Sequence, residues 1–410
     1  MGTRRGTNLP RMGDFNQAVI LESIRRSADG VSRIELAEAT GLSAQTVTNI
    51  TRRLLGDGLV AEAGRAINGP GKPRVILRLV ADSRFSIGVH LDPAVITLVL
   101  LDLSGEVVQQ RVVRTNENDP RRLVEVIAQA VEGIVADAGV DRERLAGIGV
   151  AVPGPLDADR GTVIDPPKLH GWHRVPLRAV LSERTGLPVV LEKDTSAAAA
   201  GELWKGTGPA DDTFVFLYLG TGIGAALVMR GDVITGASGN FGEIGHIVVD
   251  PDGALCGCGL RGCVDVVCTP QAIVEEAERE GVLLDDREGN DVEAVDARFT
   301  ELCDRTRAGD RQAGQLLRRA AVHLSVLISA LANLLDVDRI VLGGPLWSRL
   351  EPICLRELPA LIDARNVTRA VRPMAVDGTI VGDDVGAVGA ACMVLDAVLT
   401  PRASDLFLAE

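Results

Sequence analysis

Residues Ser86 to Asp102 read SIGVHLDPAVITLVLLD, and the reading of the whole chain turns on them. One apolar run meets a break at His90-Leu91-Asp92-Pro93-Ala94, and a second leads into a Leu-Ser-Gly turn. Two such runs around a short turn predict an antiparallel hairpin. A hairpin of this kind opens many nucleotide-binding lobes, with phosphate lying against its turn. Here the turn carries a histidine and a proline, and neither suits a phosphate.

Outward from this hairpin, strands and helices alternate. Strands are expected at 85–89, 96–102, 107–115, 145–152 and 188–192, with helices over 121–138 and ending at 181–185. A second series starts at Thr213, where TFVFLYLGTGIGAALVMRGDVI reads strand, Gly-rich turn, strand, turn, strand. A helical region from 270 to 335, a strand at 339–344 and a final Gly-Ala-rich helix follow. Two similar α/β series with antiparallel openings predict two lobes facing a cleft that takes a small ligand. The Gly220-Thr221-Gly222-Ile223-Gly224 turn is a candidate wall of that cleft, since glycines allow close backbone approach.

The chain has 410 residues, enough for two or three domains. Aromatics make up only 3% of it, so its cores must be built from Val, Leu, Ile and Ala. The apolar stretch Ala320–Leu335 contains His323 and Asn333 and is short for a bilayer span, so it reads as a core helix. No signal-peptide pattern opens the chain, and a cytoplasmic protein without membrane contact is expected. Charge is divided: residues 1–80 carry a net +5 and residues 81–410 a net −18. A basic head on an acidic body predicts that only the head meets a polyanion.

Within the head, three helical patterns run from Asn16 to Leu59. Ser32 with Glu35 forms a capping box for the second, and Ser43 caps the third after the break at Gly41. Helix, short turn, helix is the spacing of a helix-turn-helix. Val47, Ile50 and Leu54 would pack inward, leaving Gln45, Thr46, Thr48, Asn49 and Arg52 outward. Amide side chains can pair with adenine, threonine methyls can touch thymine, and arginine can meet phosphate or guanine. A hairpin wing follows, with Lys72 and Arg74 near its tip. The DNA-contacting set is therefore Ser43, Gln45, Thr46, Thr48, Asn49, Arg52, Lys72 and Arg74.

The segment Gly239–Asp265, GNFGEIGHIVVDPDGALCGCGLRGCVD, is the most specific signal. His246, Cys256, Cys258 and Cys263 make one nitrogen and three sulfurs, the donor set of a closed structural zinc site. Cys268 stands close enough in sequence to replace one of them.

Together PGP at 153–155, EKD at 192–194, GTGIG at 220–224, GEIGH at 242–246, CGCGLRGC at 256–263 and IVLGG at 340–344 resemble the ROK family of repressors, open reading frames and sugar kinases. The head resembles that of its repressor branch. The resemblance implies an α/β, actin-like or hexokinase-like two-lobed fold preceded by an α+β winged helix-turn-helix. The expected division is a DNA-binding head at 1–80, a first lobe at 81–200, a second lobe with the zinc site at 201–375, and a C-terminal helix at 376–410 packing back on the first lobe. The resemblance also implies a sugar pocket formed by Asp194, Glu243 and His246, with Lys193 where the family has Asn and Asp265 where it has Glu. Family kinases carry Asp-x-Gly-Gly-Thr at the opening hairpin, which this chain lacks. A sugar-responsive repressor, a homodimer or higher homo-oligomer, that binds operator DNA and has lost its ATP site is therefore expected, with Asp194 a vestigial kinase base. Lys193, one of four lysines, either pairs with an anionic sugar derivative, neutralises Asp194 or Glu192, or points to solvent. The competing expectation is an active sugar kinase with an appended head.

Overall fold

The computed structural model describes residues 9–66, 73–93, 95–115, 117, 119–167, 169, 171–206, 212–284, 292–367 and 369–399. The head begins with helix α1 (Leu9–Arg25), a two-residue strand β1 (Val31–Ser32), and helices α2 (Arg33–Thr40) and α3 (Ala44–Gly56). The capping box forms as its residues require: the Glu35 amide donates to Ser32 Oγ at 3.4 Å, and the Ser32 amide donates to Glu35 Oε2 at 2.8 Å. Gly41 ends α2 with φ at 69°, a left-handed conformation that costs glycine little. Strands β2 (Val60–Ala66) and β3 (Arg74–Leu79) complete a three-stranded sheet of order β1-β3-β2. The wing tip, including Lys72, lies outside the described residues.

The first lobe holds β4 (Phe85–Leu91), β5 (Val95–Asp102), β6 (Val107–Arg114), α4 (Pro120–Ala138) and β7 (Leu145–Val152). A small hairpin of β8 (Leu156–Asp157) and β9 (Thr162–Val163), helix α5 (Leu177–Thr185) and β10 (Val189–Lys193) complete it. Its sheet runs β10-β7-β4-β5-β6. Helix α6 (Asp194–Lys205) leads to β11 (Phe214–Leu219), β12 (Ile223–Met229) and β13 (Asp232–Ile234) of the second lobe. Helices α7 (Val264–Val267), α8 (Pro270–Arg279), α9 (Val292–Arg307) and α10 (Arg311–Leu335) follow, then β14 (Arg339–Gly343), α11 (Trp347–Asp363), β15 (Ala375–Gly378) and α12 (Val385–Leu399). The second sheet runs β13-β12-β11-β14-β15.

The two sheets share one plan. In each, three consecutive antiparallel strands are extended by two parallel ones added beside the first. Helices from the intervening segments bury the sheet faces in aliphatic cores, as the low aromatic content demands. The apolar helix α10 lies in the second core, through Leu316, Leu317, Leu324, Leu327 and Ile328 among others.

Helix α12 crosses back to the first lobe. A Cβ at Gly88 of β4 or Gly149 of β7 would collide with the carbonyls of Ala387 and Ala390, and one at Gly389 with the Ala197 carbonyl. The Gly-Ala pattern of the final helix thus answers a backbone-to-backbone approach against the sheet and α6. Strand β15 carries the second sheet to Gly378, and α6 runs to Lys205. Both elements pass the expected lobe limits by a few residues.

Candidate functional site

The recognition face of α3 is built as its spacing predicts. Val47, Ile50, Thr51 and Leu54 are buried, whereas Gln45, Asn49 and Arg52 are exposed. Gln45 Nε2 donates to Asn49 Oδ1 at 3.1 Å, and Arg52 Nη1 donates to the same oxygen at 3.4 Å. These three groups form one polar row. The Thr46 amide donates to Ser43 Oγ at 3.2 Å, so Ser43 is engaged in the cap. Thr48 Oγ1 donates to the Ala44 carbonyl at 2.7 Å, which leaves its methyl as the free surface. Arg74 lies 3.8 Å from Glu35 and is partly exposed.

At the opening hairpin, Asp92 and Val95 exchange backbone hydrogen bonds of 3.1 and 3.3 Å around Pro93. His90 is buried on β4, and its Nε2 lies 3.1 Å from the hydroxyl of Tyr218 on β11. The two rings meet edge to face with centroids 6.2 Å apart, joining the sheets of the two lobes. Burial pushes the His90 imidazole below its ordinary value, against the opposing influence of Asp92 and Asp384, and pushes the Tyr218 phenol well up. Both are therefore neutral at pH 7. Tyr218, the chain's single tyrosine, was not anticipated from sequence. A cavity of about 360 Å³ opens beside His90, lined by Asp92, Glu293 and Asp296 as well as Thr221, Arg114 and Arg349.

The second group of residues gathers around the start of α6. Lys193, the residue before it, is only 2% exposed. Its Nζ lies 2.5 Å from Glu243 Oε1 and donates to the Phe241 carbonyl at 2.9 Å. The expectation that this ammonium neutralises Asp194 or Glu192 is corrected in one respect: its ion-pair partner is Glu243, fifty residues on. The link forms because the loop after β13 folds over the end of β10. A Cβ at Gly154 would press on both side chains, so the PGP loop covers the pair. Asp194 is partly buried, its Oδ1 accepting from the Thr195 amide at 2.7 Å. Burial pushes its carboxyl up to about 7, offset in part by that hydrogen bond and by Lys193, and reinforced by Glu243 and Asp92. Asp265 lies on α7, and its amide donates to the Gly245 carbonyl at 3.0 Å. Its carboxylate fills the space a side chain at Gly245 would need. Lys193, Asp194 and Glu243 thus converge at the N-terminus of α6, and Asp265 on α7 packs against Gly245 in the loop that bears Glu243.

His246 belongs to the same loop and faces the thiols. One donor atom each from His246, Cys256, Cys258 and Cys263 lies within 4.8 Å of every other. Cys256 Sγ is 3.4 Å from His246 Nδ1, and Cys258 Sγ is 3.6 Å from Cys263 Sγ. A tetrahedron with zinc–sulfur bonds of about 2.3 Å has edges of roughly 3.5–3.8 Å. The donor set therefore fits a zinc ion in both chemistry and spacing. With Nδ1 on the cluster side, Nε2 is the nitrogen left for any other partner. Cys268 is outside this group and packs in the core of the second lobe, which removes it as an alternative ligand.

Residues 86–397 match the profile of the ROK family, and residues 19–61 match that of a winged helix-turn-helix DNA-binding domain. The chain belongs to the ROK family. Among relatives of this ROK protein, a Glucokinase of Halalkalibacterium halodurans is 30% identical over 319 residues, covering 76% of this chain and 95% of the kinase. A Xylose repressor of Caldicellulosiruptor bescii is 24% identical over 390 residues, covering 94% of this chain and 96% of the repressor. The crystal structure of a ROK family transcriptional regulator, a homolog of the E. coli MLC protein, superposes with a TM-score of 0.77 at 24% identity, over 95% of this chain and 98% of that one. That superposition establishes the fold: two ROK lobes behind a winged head.

Proposed function

We propose that this ROK protein is a sugar-responsive, DNA-binding transcriptional regulator, acting as a repressor and not as an enzyme. Support comes from a head with an exposed amide-and-arginine row joined to a cleft whose opening turn offers a proline and a carboxylate where phosphate would lie. The observation that carries the reading is the turn at 90–93. His90 is spent on Tyr218, Pro93 offers no amide, and Asp92, Glu293 and Asp296 set negative charge along the cavity. A triphosphate brought there would meet those carboxylates and no amide at Pro93, and Arg349 on the same wall is already paired with Asp296 at 2.8 Å.

The sugar is held, in this reading, by Asp194, Glu243, His246 and Asp265, with Lys193 acting on the ligand through Glu243. A carboxyl near its titration point can both donate to and accept from a hydroxyl. His246, Cys256, Cys258 and Cys263 hold a structural zinc ion that shapes the loop bearing Glu243. With four protein donors, the ion holds conformation and leaves no position for a reacting water. The head ends near residue 80, the first lobe gives way to the second along α6, and α12 (Val385–Leu399) is the helix that returns to the first lobe. Two heads of a homodimer read a symmetric operator in the cytoplasm. Ser43, Gln45, Thr46, Thr48, Asn49, Arg52, Lys72 and Arg74 form the contact surface.

Three measurements test these assignments. Fluorescence anisotropy of DNA from upstream of the protein's own gene, titrated across a carbohydrate library, is expected to show one sugar class changing operator affinity about 5–150-fold. No response to any sugar would sink the reading. Replacing Asn49 with Ala is expected to cost about 1–3 kcal/mol of discrimination between operator and altered sequences, whereas Arg52→Ala lowers affinity for both and reduces the salt slope by about one. Removing metal with a chelator is expected to release one zinc per chain and lower the melting temperature by several degrees. Cys258→Ser should lack the zinc from the outset. Equal melting curves with and without chelator, or no bound zinc at all, would count against the structural ion.

The competing reading, an active kinase with an added head, draws on one observation. Asp194, with its carboxyl near 7, is suited to take a proton from a sugar hydroxyl. Against it stands the turn at 90–93, where Pro93 has no amide to offer a phosphoryl donor.

A further inference from the structure

Helix α6 spans the distance between the pocket and the head. Its first residue is Asp194 and its twelfth and last is Lys205, a length of roughly 18 Å. At its far end Trp204 meets the head. The guanidinium of Arg25, the last residue of α1, stacks over the Trp204 ring at 4.0 Å from its centroid. Arg25 Nη1 also donates to the Trp204 carbonyl at 3.2 Å. Carbonyls in the last turn of a helix have no intrahelical donor and carry partial negative charge. A cation from one domain therefore caps a helix of another.

Arg25 is held for this task. Its Nε and Nη2 donate to the two carboxylate oxygens of Glu22, each at 2.7 Å, which orients the guanidinium plane. Its side chain is only 9% exposed. The neighbouring contact is of a different kind. Ile20, Leu21 and Ile24 of α1 share one apolar cluster with Val388, Ala391, Cys392 and Leu395 of α12. Apolar contacts tolerate sliding, whereas a stacked, hydrogen-bonded guanidinium accepts a narrow range of positions. The apolar cluster thus attaches the head, and Arg25 sets its angle.

The helix between these ends cannot bend independently of its surroundings. A Cβ at Gly201 would crowd Gly389, and one at Gly389 would collide with Ala197, so α6 and α12 touch backbone to backbone. Movement of the Lys193–Asp194 end must carry the Trp204 end with it. The indole Nε1 of Trp204 is buried and has no acceptor among the described residues. An unsatisfied donor at a joint is a place where a second arrangement costs little.

We infer that α6 is the strut that carries pocket occupancy to the DNA-binding head, and that Arg25 is the positioning residue that receives it. This rests on the sugar-responsive reading above and names its route. Wild type, Arg25→Ala and Arg26→Ala are compared by titrating operator DNA with and without the sugar that shifts the wild type, and by calorimetric titration of that sugar. The expected result is a sugar affinity within about twofold of wild type in all three. The ratio of operator dissociation constants with and without sugar falls to within about threefold of unity in Arg25→Ala and stays at the wild-type value in Arg26→Ala. If Arg25→Ala does not fold, Arg25→Gln keeps the stem over the indole without the cation, and the same fall is expected. A full wild-type ratio in the folded Arg25 variant overturns the strut. So does an equal fall in Arg26→Ala. A wild type indifferent to every sugar overturns the proposed function itself, and is told apart by its own flat titration.

Discussion

Asp194→Asn is expected to stabilise the protein relative to wild type increasingly as pH rises, with a difference that grows by on the order of 2–3 kcal/mol between pH 5 and pH 8. The cause is the burial that pushes the Asp194 carboxyl from 3.8 to about 7. Its folded-state value lies above its unfolded value, so the folded protein holds the proton more tightly. That stabilisation is complete below about pH 4, erodes as the unfolded chain ionises, and is gone above about pH 7. Asn presents a neutral side chain of the same shape at every pH and does not share the loss. Other titrating groups are common to both proteins and cancel in the difference. Urea unfolding at pH 5, 6, 7 and 8 measures it. Parallel stability curves would show that Asp194 ionises normally and that the pocket is wetter than its burial indicates.

The second large effect concerns the pair that the sequence did not disclose. Removing the Glu243 carboxylate by Glu243→Ala is expected to cost about 1–2 kcal/mol, because it takes the ion-pair partner from the buried Lys193 ammonium, while the carboxylate itself is 62% exposed and already screened by water. Lys193→Met in the same background is expected to recover most of that loss, since an apolar side chain of similar length has no charge to strand. Lys193→Met alone should be close to neutral for stability while pushing the Asp194 carboxyl further up, because a lowering influence has gone. A double-mutant cycle by urea unfolding gives the coupling directly. Additive losses in the double variant would mean that the two side chains do not form an ion pair in solution.

Much of the architecture was legible because it follows local rules. The capping box at Ser32 and Glu35, the inward row Val47, Ile50 and Leu54, and the Gly-Ala face of the last helix are each set by residues close in sequence. The Cys₃His group was legible for the same reason, since eight residues hold three of its donors. What escaped were contacts between distant segments. Lys193 with Glu243, His90 with Tyr218, and Arg25 with Trp204 are separated by 50, 128 and 179 positions. Period and spacing carry no information about such pairs. Lysine scarcity marked Lys193 as unusual and nothing marked Tyr218, and composition cannot name a partner.

The histidine at the opening turn is accounted for by the same comparison. It does not replace a phosphate ligand. It bridges two sheets as a buried neutral ring, in a position where a carboxylate would stand beside Asp92 and Asp384, which already raise its proton affinity. The cleft keeps a polar cluster at the start of α6, and the proposed function holds that its turn at 90–93 no longer takes a nucleotide's phosphates.

The most direct test of that claim is a search for product. Purified protein is incubated with Mg-ATP and the sugar that shifts its operator affinity, and sugar phosphate and ADP are measured by mass spectrometry over hours. The proposed function predicts neither above a protein-free control, with operator binding changed by the sugar alone. Stoichiometric or greater formation of sugar phosphate would contradict it and make this ROK protein a kinase.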